Sequence, residues 1–138
     1  MHLVRMGRAV WDVLAIADED GGSVWQVLQN LREGAGVERM RVTLEQEVPL
    51  NGPPTMNTTR CRVLGEGIYE FKETGVRVLW FYDEGEPVRR RCIICTHYSP
   101  KVKTKEFQKE ISKARRMREA YLIAKSTGKL KWPKEDKK

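Results

Sequence analysis

The sequence predicts an α+β fold in which helices pack on one face of a small, mainly antiparallel sheet. Two changes of hydrophobic period lead to this prediction. Helical spacing dominates from Ser23 to Val48, a two-residue period begins at Thr59, and helical spacing returns after Pro100. The predicted order is β-α-α-β-β-β-α, with a domain over residues 1–125 and a charged C-terminal tail over residues 126–138.

One strand and two helices are predicted before the sheet hairpins. Residues 9–17 (AVWDVLAIA) are strand-like, and the sequence DEDGG follows as a turn. Ser23, with Gln26 three residues later, has the pattern of a capping box at a helix start. Pro49 and the NGPP sequence at residues 51–54 should end the second helix. Its buried stripe would be Val37, Met40, Leu44 and Val48.

Three or four short strands should follow, and then one long helix. The sequences GEG, KETG and DEGEP supply tight turns, so neighbouring strands are expected to be antiparallel hairpin partners. The predicted strands are residues 60–64, 68–72, 76–82 and 89–96. The helix begins after Pro100, ends before Gly128 and carries the basic residues of the C-terminal region. Its predicted buried stripe is Phe107, Ile111, Ala114 and Tyr121.

Composition and charge limit the classes of partner and compartment. The chain has 138 residues, a net charge of +7 and a pI near 9.5, which favours a polyanionic partner such as nucleic acid, a nucleoprotein machine or an acidic protein. Three cysteines cannot all pair within one chain, which predicts a reducing, cytoplasmic location. No apolar run has the length of a membrane span, so no membrane partner is expected.

The cysteine pair CIIC invites a metal interpretation that strand geometry disfavours. Cys92 and Cys95 flank two isoleucines in a predicted strand, and residues three apart on a strand point to opposite faces. The two thiolates could not then bind one ion. Cys95 and His97 would share a face, but with only Cys61 as a possible third ligand the pattern is weak. The cysteines are therefore predicted to be small buried hydrophobes, and no metal site is expected.

A second group of residues has the composition of a site that cleaves RNA without a metal or cofactor. Such cleavage needs a base for the 2′-hydroxyl, an acid for the leaving oxygen, and fixed cations beside the phosphate. His97 suits proton transfer, and Arg77 lies mid-strand in what should be a neighbouring strand. Lys101 and Lys105 lie near the start of the last helix. Further candidate nucleic-acid contacts are Lys72, Tyr98, Lys103, Lys109, Lys113 and Arg116.

Each of these residues also has a purely structural interpretation. A lysine stripe at helical spacing can be an ordinary solvated helix face. His97 at a strand end can be structural, and Arg77 can form an ion pair with Glu70 or Glu73 across a hairpin. Composition and spacing alone do not decide between this structural interpretation and the RNA-cleaving site.

Four segments, in this order, carry a resemblance that covers nearly the whole chain: GGSVWQVLQNL, VERMRVTLEQEVPLNGPP, LGEGIYEFKETGVRVLWFYDEGE and ICTHYSPKVKTKEFQKEISKARRMREAYL. Together they resemble the phage-derived, HigB-like branch of the RelE/ParE toxin superfamily. The resemblance implies a RelE-like fold and a toxin that cleaves mRNA on the translating ribosome until a cognate antitoxin neutralises it. It also implies that Arg77 neutralises phosphate, that Lys101 and Lys105 hold the RNA backbone, and that His97 is the acid or base.

The segment after His97 departs from the family pattern. Tyr98-Ser99 replaces Gly-Phe, Val102 replaces the second lysine of a pair, and Glu106-Phe107 replaces Thr-Pro. Losing a cation and adding an acid would weaken stabilisation of a phosphate transition state. Two alternatives therefore stay open: a RelE-fold phage protein that binds host RNA polymerase and regulates transcription, and a ParE-like poison of DNA gyrase.

Overall fold

A computed structural model describes residues 1–18, 22–31, 34–100 and 103–133 of the chain. Within these ranges the strands form one six-stranded sheet of order β1-β2-β6-β5-β4-β3. All neighbouring strands are antiparallel except β2 and β6, which are parallel. The strands are β1 His2–Arg8, β2 Asp12–Ala17, β3 Cys61–Gly65, β4 Ile68–Glu73, β5 Val76–Tyr82 and β6 Cys92–Pro100. The predicted α+β class with a mainly antiparallel sheet is confirmed.

The helices of the first half follow β2. Ser23 caps the first of them by accepting a hydrogen bond from the Gln26 backbone N–H, as predicted. The predicted stripe of Val37, Met40, Leu44 and Val48 is buried, although a π-helical turn interrupts the second helix. The helices are α1 Val24–Asn30, α2 Ala35–Val42, a π-helical turn Thr43–Glu47, α3 Val48–Asn51 and α4 Thr104–Ser126.

Pro49 does not end the second helical segment, contrary to the prediction. It lies in the first turn of α3, where a helix tolerates the missing N–H of proline. The segment ends instead at Gly52, which has a φ of +80° that glycine adopts without strain. The NGPP sequence was therefore the correct stop signal.

Helices cover both faces of the sheet, so the prediction of helices on one face is wrong. One core lies between the sheet and α1, α2 and α3, and contains Val13, Phe71, Val78, Trp80 and Cys95. The other lies beneath α4, and contains Leu14, Leu79, Phe81, Phe107 and Tyr121. The central strands are buried on both faces, as every residue from Val78 to Phe81 shows. Continuous apolar strands of this kind need cover on both sides.

The predicted order β-α-α-β-β-β-α lacked two strands: β1, and one of the four strands β3 to β6 that follow the first helices. Residues 9–11 form the turn between β1 and β2, and Val10 is 51% exposed. β1 has no two-residue period because its pairing shifts register between Arg5 and Gly7. Its two buried residues, Leu3 and Met6, are three positions apart and face different cores, so β1 has no single buried face that a two-residue period would reveal. β3, β4, β5 and the long helix lie where they were predicted, because their periodicity is local and uninterrupted. The strand predicted over residues 89–96 is β6, which begins later, at Cys92, and continues past His97 to Pro100.

The described part of the predicted tail contacts the domain. The Leu3 backbone N–H donates to the Lys131 carbonyl oxygen at 2.9 Å, and Trp132 packs against the core beneath α4. The guanidinium of Arg89 lies 3.6 Å above the Trp132 ring. In the described ranges, the structure contains no helix with both the length and the apolarity to cross a membrane.

Candidate functional site

A cleft of about 490 Å³ opens where β2 and β6 separate. These two strands are parallel and pair over Asp12–Ala15 and Cys92–Cys95. The helix after β2 packs on one face of the sheet and the helix after β6 on the other. Such a division leaves a crevice at the carboxyl ends of the two strands, which is where open sheets bind ligands. Lining residues include Val24, Val27, Thr96, His97, Lys113 and Met117.

A β-bulge at Thr96 decides which face His97 occupies. Leu79 pairs with His97, whereas its neighbour Trp80 pairs with Cys95, so Thr96 is the extra residue. The bulge reverses the alternation of side chains. His97 therefore faces α4, while Cys95 faces the other core, and the prediction that these two share a face is wrong.

Cys92 and Cys95 lie in different cores on opposite faces, as predicted. All the cysteines are free and buried. Burial, followed by the charge of Asp83, raises the pKa of Cys92 to about 12. A thiol that stays protonated behaves as a small hydrophobe, which matches the predicted role.

Both ring nitrogens of His97 have protein partners. Nε2 lies 2.7 Å from a carboxylate oxygen of Glu110 on α4, and Nδ1 lies 3.0 Å from the Thr96 hydroxyl. The Thr96 hydroxyl can instead donate to the Leu79 carbonyl oxygen at 3.2 Å. His97 is only 8% exposed. The imidazole is thus fixed between a strand bulge and a helix, with one edge on the cleft.

Burial is the main reason why the pKa of His97 lies below its usual value. The hydrogen bond to Glu110 opposes this shift, and the charge of Lys113 adds to it. His97 is consequently neutral near pH 7 and able to accept a proton. The Glu110 carboxylate would then stabilise the imidazolium, which is the chemistry of a general base held by an acid.

Arg77 lies on the same face of the sheet but is already paired. Its Nε is 3.8 Å from a carboxylate oxygen of Glu70, and its guanidinium lies 4.8 Å above the Phe107 ring. Only 11% of its side chain is exposed. Glu70 is fully buried and also accepts from Arg62 at 2.6 Å. The structure therefore has Arg77 in the ion pair with Glu70 that the structural interpretation named.

The basic row on α4 consists of Lys105, Lys109, Lys113 and Arg116 and is exposed. Among the residues that the structure describes, the row makes no ion pair. Its neighbours on the helix do: Arg115 pairs with Glu66, Arg118 with Glu84, and Lys125 with Asp83. The helix thus separates its cations into paired ones and an unneutralised row, and Lys113 of that row reaches the cleft.

The remaining predicted site residues are dispersed. Lys72 is half-buried and directly opposite Arg77 in the sheet register. Lys103 is the exposed N-cap residue of α4. Tyr98 packs against the core on the other face and reaches the cleft from that side. Lys101, the remaining candidate of the catalytic group, lies outside the described residues.

The sequence reasoning gave Glu110 and Thr96 no role in the site. Glu110 had a recognisable signal, since it is an acid three residues after Phe107 and beside Ile111 in the buried stripe of α4. Thr96 had none, because a bulge is not visible in the sequence pattern.

Comparisons with known protein families, with curated proteins and with solved structures found no match for this chain.

Proposed function

We propose that this protein is a HigB/RelE-like toxin that cleaves mRNA on the translating ribosome without a metal, and that a cognate antitoxin neutralises it. One observation carries the proposal: a buried histidine held by Glu110 borders a cleft beside a row of basic residues that makes no ion pair with the described residues. The net charge of +7 supports a polyanionic substrate. The two remaining parts of the proposal, mRNA cleavage as the reaction and the translating ribosome as its setting, come from the family resemblance.

In this proposal the cleft holds one nucleotide and its 3′-phosphate. Nε2–H of His97 points at Glu110, so Nδ1 is the nitrogen that accepts the proton of the 2′-hydroxyl. The Thr96 hydroxyl lies 3.0 Å from Nδ1, so in this scheme its side chain moves aside when the 2′-hydroxyl takes its place. The 2′-oxygen then bonds to phosphorus as the bond to the 5′-oxygen breaks. The 5′-oxygen takes a proton from water, which leaves a 2′,3′-cyclic phosphate and a 5′-hydroxyl.

Cations in and beside the cleft stabilise the phosphate in this scheme. Lys113 lines the cleft, and Lys109 and Arg116 continue the row along α4. The resemblance implies that Arg77 neutralises phosphate. Because Arg77 is paired with Glu70, its role in this proposal is instead to stabilise the structure around the site. The exposed row is also the surface that an acidic antitoxin segment would cover.

Induced expression in a bacterial host tests the proposal. The wild-type chain should stop growth and produce cleaved transcripts with 5′-hydroxyl ends, and His97→Gln should abolish both effects. His2→Gln is the matched control, because His2 is exposed, lies on the edge strand β1 and does not line the cleft. Coexpression of an antitoxin frame beside the gene should restore growth. Intact transcripts with the wild-type chain would overturn the proposal.

A second candidate function is binding of host RNA polymerase without cleavage. The observation that favours it is the neutralised state of the site: Arg77 is paired with Glu70, and both nitrogens of His97 have partners. The basic row would then dock on an acidic surface of the polymerase. Purified RNA polymerase mixed with the wild-type chain and with Lys109→Glu/Arg116→Glu tests it. Coelution that the charge reversal abolishes would support it, and independent elution of the wild-type chain would exclude it.

A further inference from the structure

An arginine surface lies at the other end of the sheet from the cleft. It consists of Arg8 at the end of β1 and of Arg89, Arg90 and Arg91 just before β6. These arginines line a shallow concavity of about 230 Å³, together with Asp12. The concavity is at the amino ends of β2 and β6, whereas the cleft is at their carboxyl ends. Five residue steps along β6, roughly 16 Å, separate the two.

The carboxylates near this surface are engaged elsewhere. Asp12 accepts from Arg5 at 2.9 and 3.1 Å. In the connection that carries the arginines, Asp83 pairs with Lys125 and Glu84 with Arg118, both on α4. Glu86, the other acid of that connection, does not line the concavity. These acids therefore do not cancel the charges of Arg90 and Arg91.

Arg90 and Arg91 are exposed, and their guanidinium groups are available to a ligand. Their side chains form neither ion pairs nor hydrogen bonds within the described ranges. Arg89 has a different role: its guanidinium stacks on Trp132, and its backbone N–H donates to Asp83 at 2.7 Å. Arg89 thereby anchors the connection, and its two neighbours project their guanidinium groups from an anchored base.

The chemistry of the surface favours phosphate over bases or protein. Guanidinium groups bind phosphate through two parallel hydrogen bonds, which lysines do not offer. Single-stranded RNA is usually held by stacking on aromatic rings, but no described residue of the concavity is aromatic. A protein partner would be expected to need a larger apolar centre than Val10 provides. Duplex RNA, in contrast, is recognised through its backbone and shape.

We propose that the arginine surface binds the backbone phosphates of an RNA duplex, separately from the row on α4. The choice of RNA over DNA rests on the proposed function, in which the substrate is mRNA on the ribosome. The protein then has two contacts with RNA. The cleft takes a single-stranded segment, and the arginine surface holds a neighbouring double-stranded region.

Binding of a labelled, blunt-ended RNA duplex, measured by fluorescence anisotropy across a salt series, tests the proposal. All variants are made in the His97→Gln chain, so that cleavage does not interfere. Arg90→Glu/Arg91→Glu should weaken binding at least roughly tenfold at about 0.1 M salt. It should also reduce the slope of log Kd against log salt by about two, one for each lost phosphate contact.

The matched control is Arg39→Glu/Lys129→Glu, which makes the same change in net charge at exposed positions outside the concavity. It should keep most of the affinity. Arg90→Lys/Arg91→Lys should fall between, since it keeps the charge and loses the paired hydrogen bonds. Equal losses in the two charge reversals, or tighter binding of a DNA duplex of the same sequence, would overturn the proposal. Because no cleavage is measured, failure here leaves the proposed endonuclease untouched.

Discussion

The imidazole of His97 and the carboxylate of Glu110 are 2.7 Å apart, and this contact joins β6 to the helix that follows it. Lys113 lies one turn further along the same helix and borders the same cleft. The two helix residues have opposite effects on the histidine: Glu110 raises its pKa and Lys113 lowers it. The protonation of His97 is therefore set by α4 as well as by burial.

Because Glu110 and Lys113 have opposite effects on the pKa of His97, removing either charge should shift that pKa in opposite directions. Glu110→Gln should lower the pKa of His97 further, because it removes the carboxylate that stabilises the imidazolium. Lys113→Met should raise it, because it removes a like charge. The pKa is read from the imidazole proton shifts of His97 in an NMR titration, and the spectrum of His97→Gln identifies those signals. Shifts of the same sign in both variants would contradict the geometry of the site.

The buried histidine also makes stability depend on pH. The pKa of His97 is lowered in the folded chain, so between that pKa and the usual value near 6.5 the unfolded chain binds more protons than the folded one. Stability should therefore fall as pH decreases through this window, by at most about 1.4 kcal/mol per pH unit. Urea unfolding of the wild-type chain and of His97→Gln, from pH 7.5 to 5, measures the difference. The variant should lose less stability on acidification than the wild-type chain.

Arg77 should contribute to stability through Glu70. Glu70 is fully buried between Arg62 and Arg77, so Arg77→Ala leaves a buried carboxylate with a single cation. The expected cost is about 3 kcal/mol in the free energy of unfolding. The double variant Glu70→Gln/Arg77→Ala should recover part of that loss, because no buried charge is left unbalanced. Chemical denaturation of Arg77→Ala, Glu70→Gln and the double variant completes the cycle. A loss of stability in the double variant equal to the sum of the two single losses would contradict the ion pair.

Arg115 and Arg116 are adjacent on α4 and offer a matched test of the basic row. Arg116 belongs to the row, whereas Arg115 pairs with Glu66 outside it. Arg116→Glu should weaken binding of single-stranded RNA roughly tenfold at about 0.1 M salt and reduce the salt slope by about one. Arg115→Glu makes the same charge change and should have a smaller effect. Equal effects would mean that total charge, and not the row, attracts RNA.

The fold was predictable where local periodicity and turn chemistry decide structure. β5 was predicted at its observed bounds, and the capping box at Ser23 gave the start of α1. β1 was not predictable in this way, because the register shift after Arg5 breaks the alternation. Cover on both faces of the sheet depends on long-range packing, although the apolar run in β5 already indicated it.

The candidate site was predictable in its residues more than in its geometry. His97 and Lys113 do meet at one cleft, although His97 lies within β6 and not at a strand end as predicted. The bulge at Thr96, which turns His97 towards α4, follows from pairing with β5 and has no sequence signal. The sequence predicted either Glu70 or Glu73 as the ion-pair partner of Arg77, and the structure has Glu70 in that position.

The central claim is that His97 in the cleft promotes RNA cleavage on the ribosome. The most direct measurement is mapping of 5′-hydroxyl ends on mRNA in a reconstituted translation system that contains purified protein. The wild-type chain and His2→Gln should produce the same cleavage sites, and His97→Gln should produce none. Intact mRNA with the folded wild-type chain, or cleavage that survives in His97→Gln, would contradict the claim.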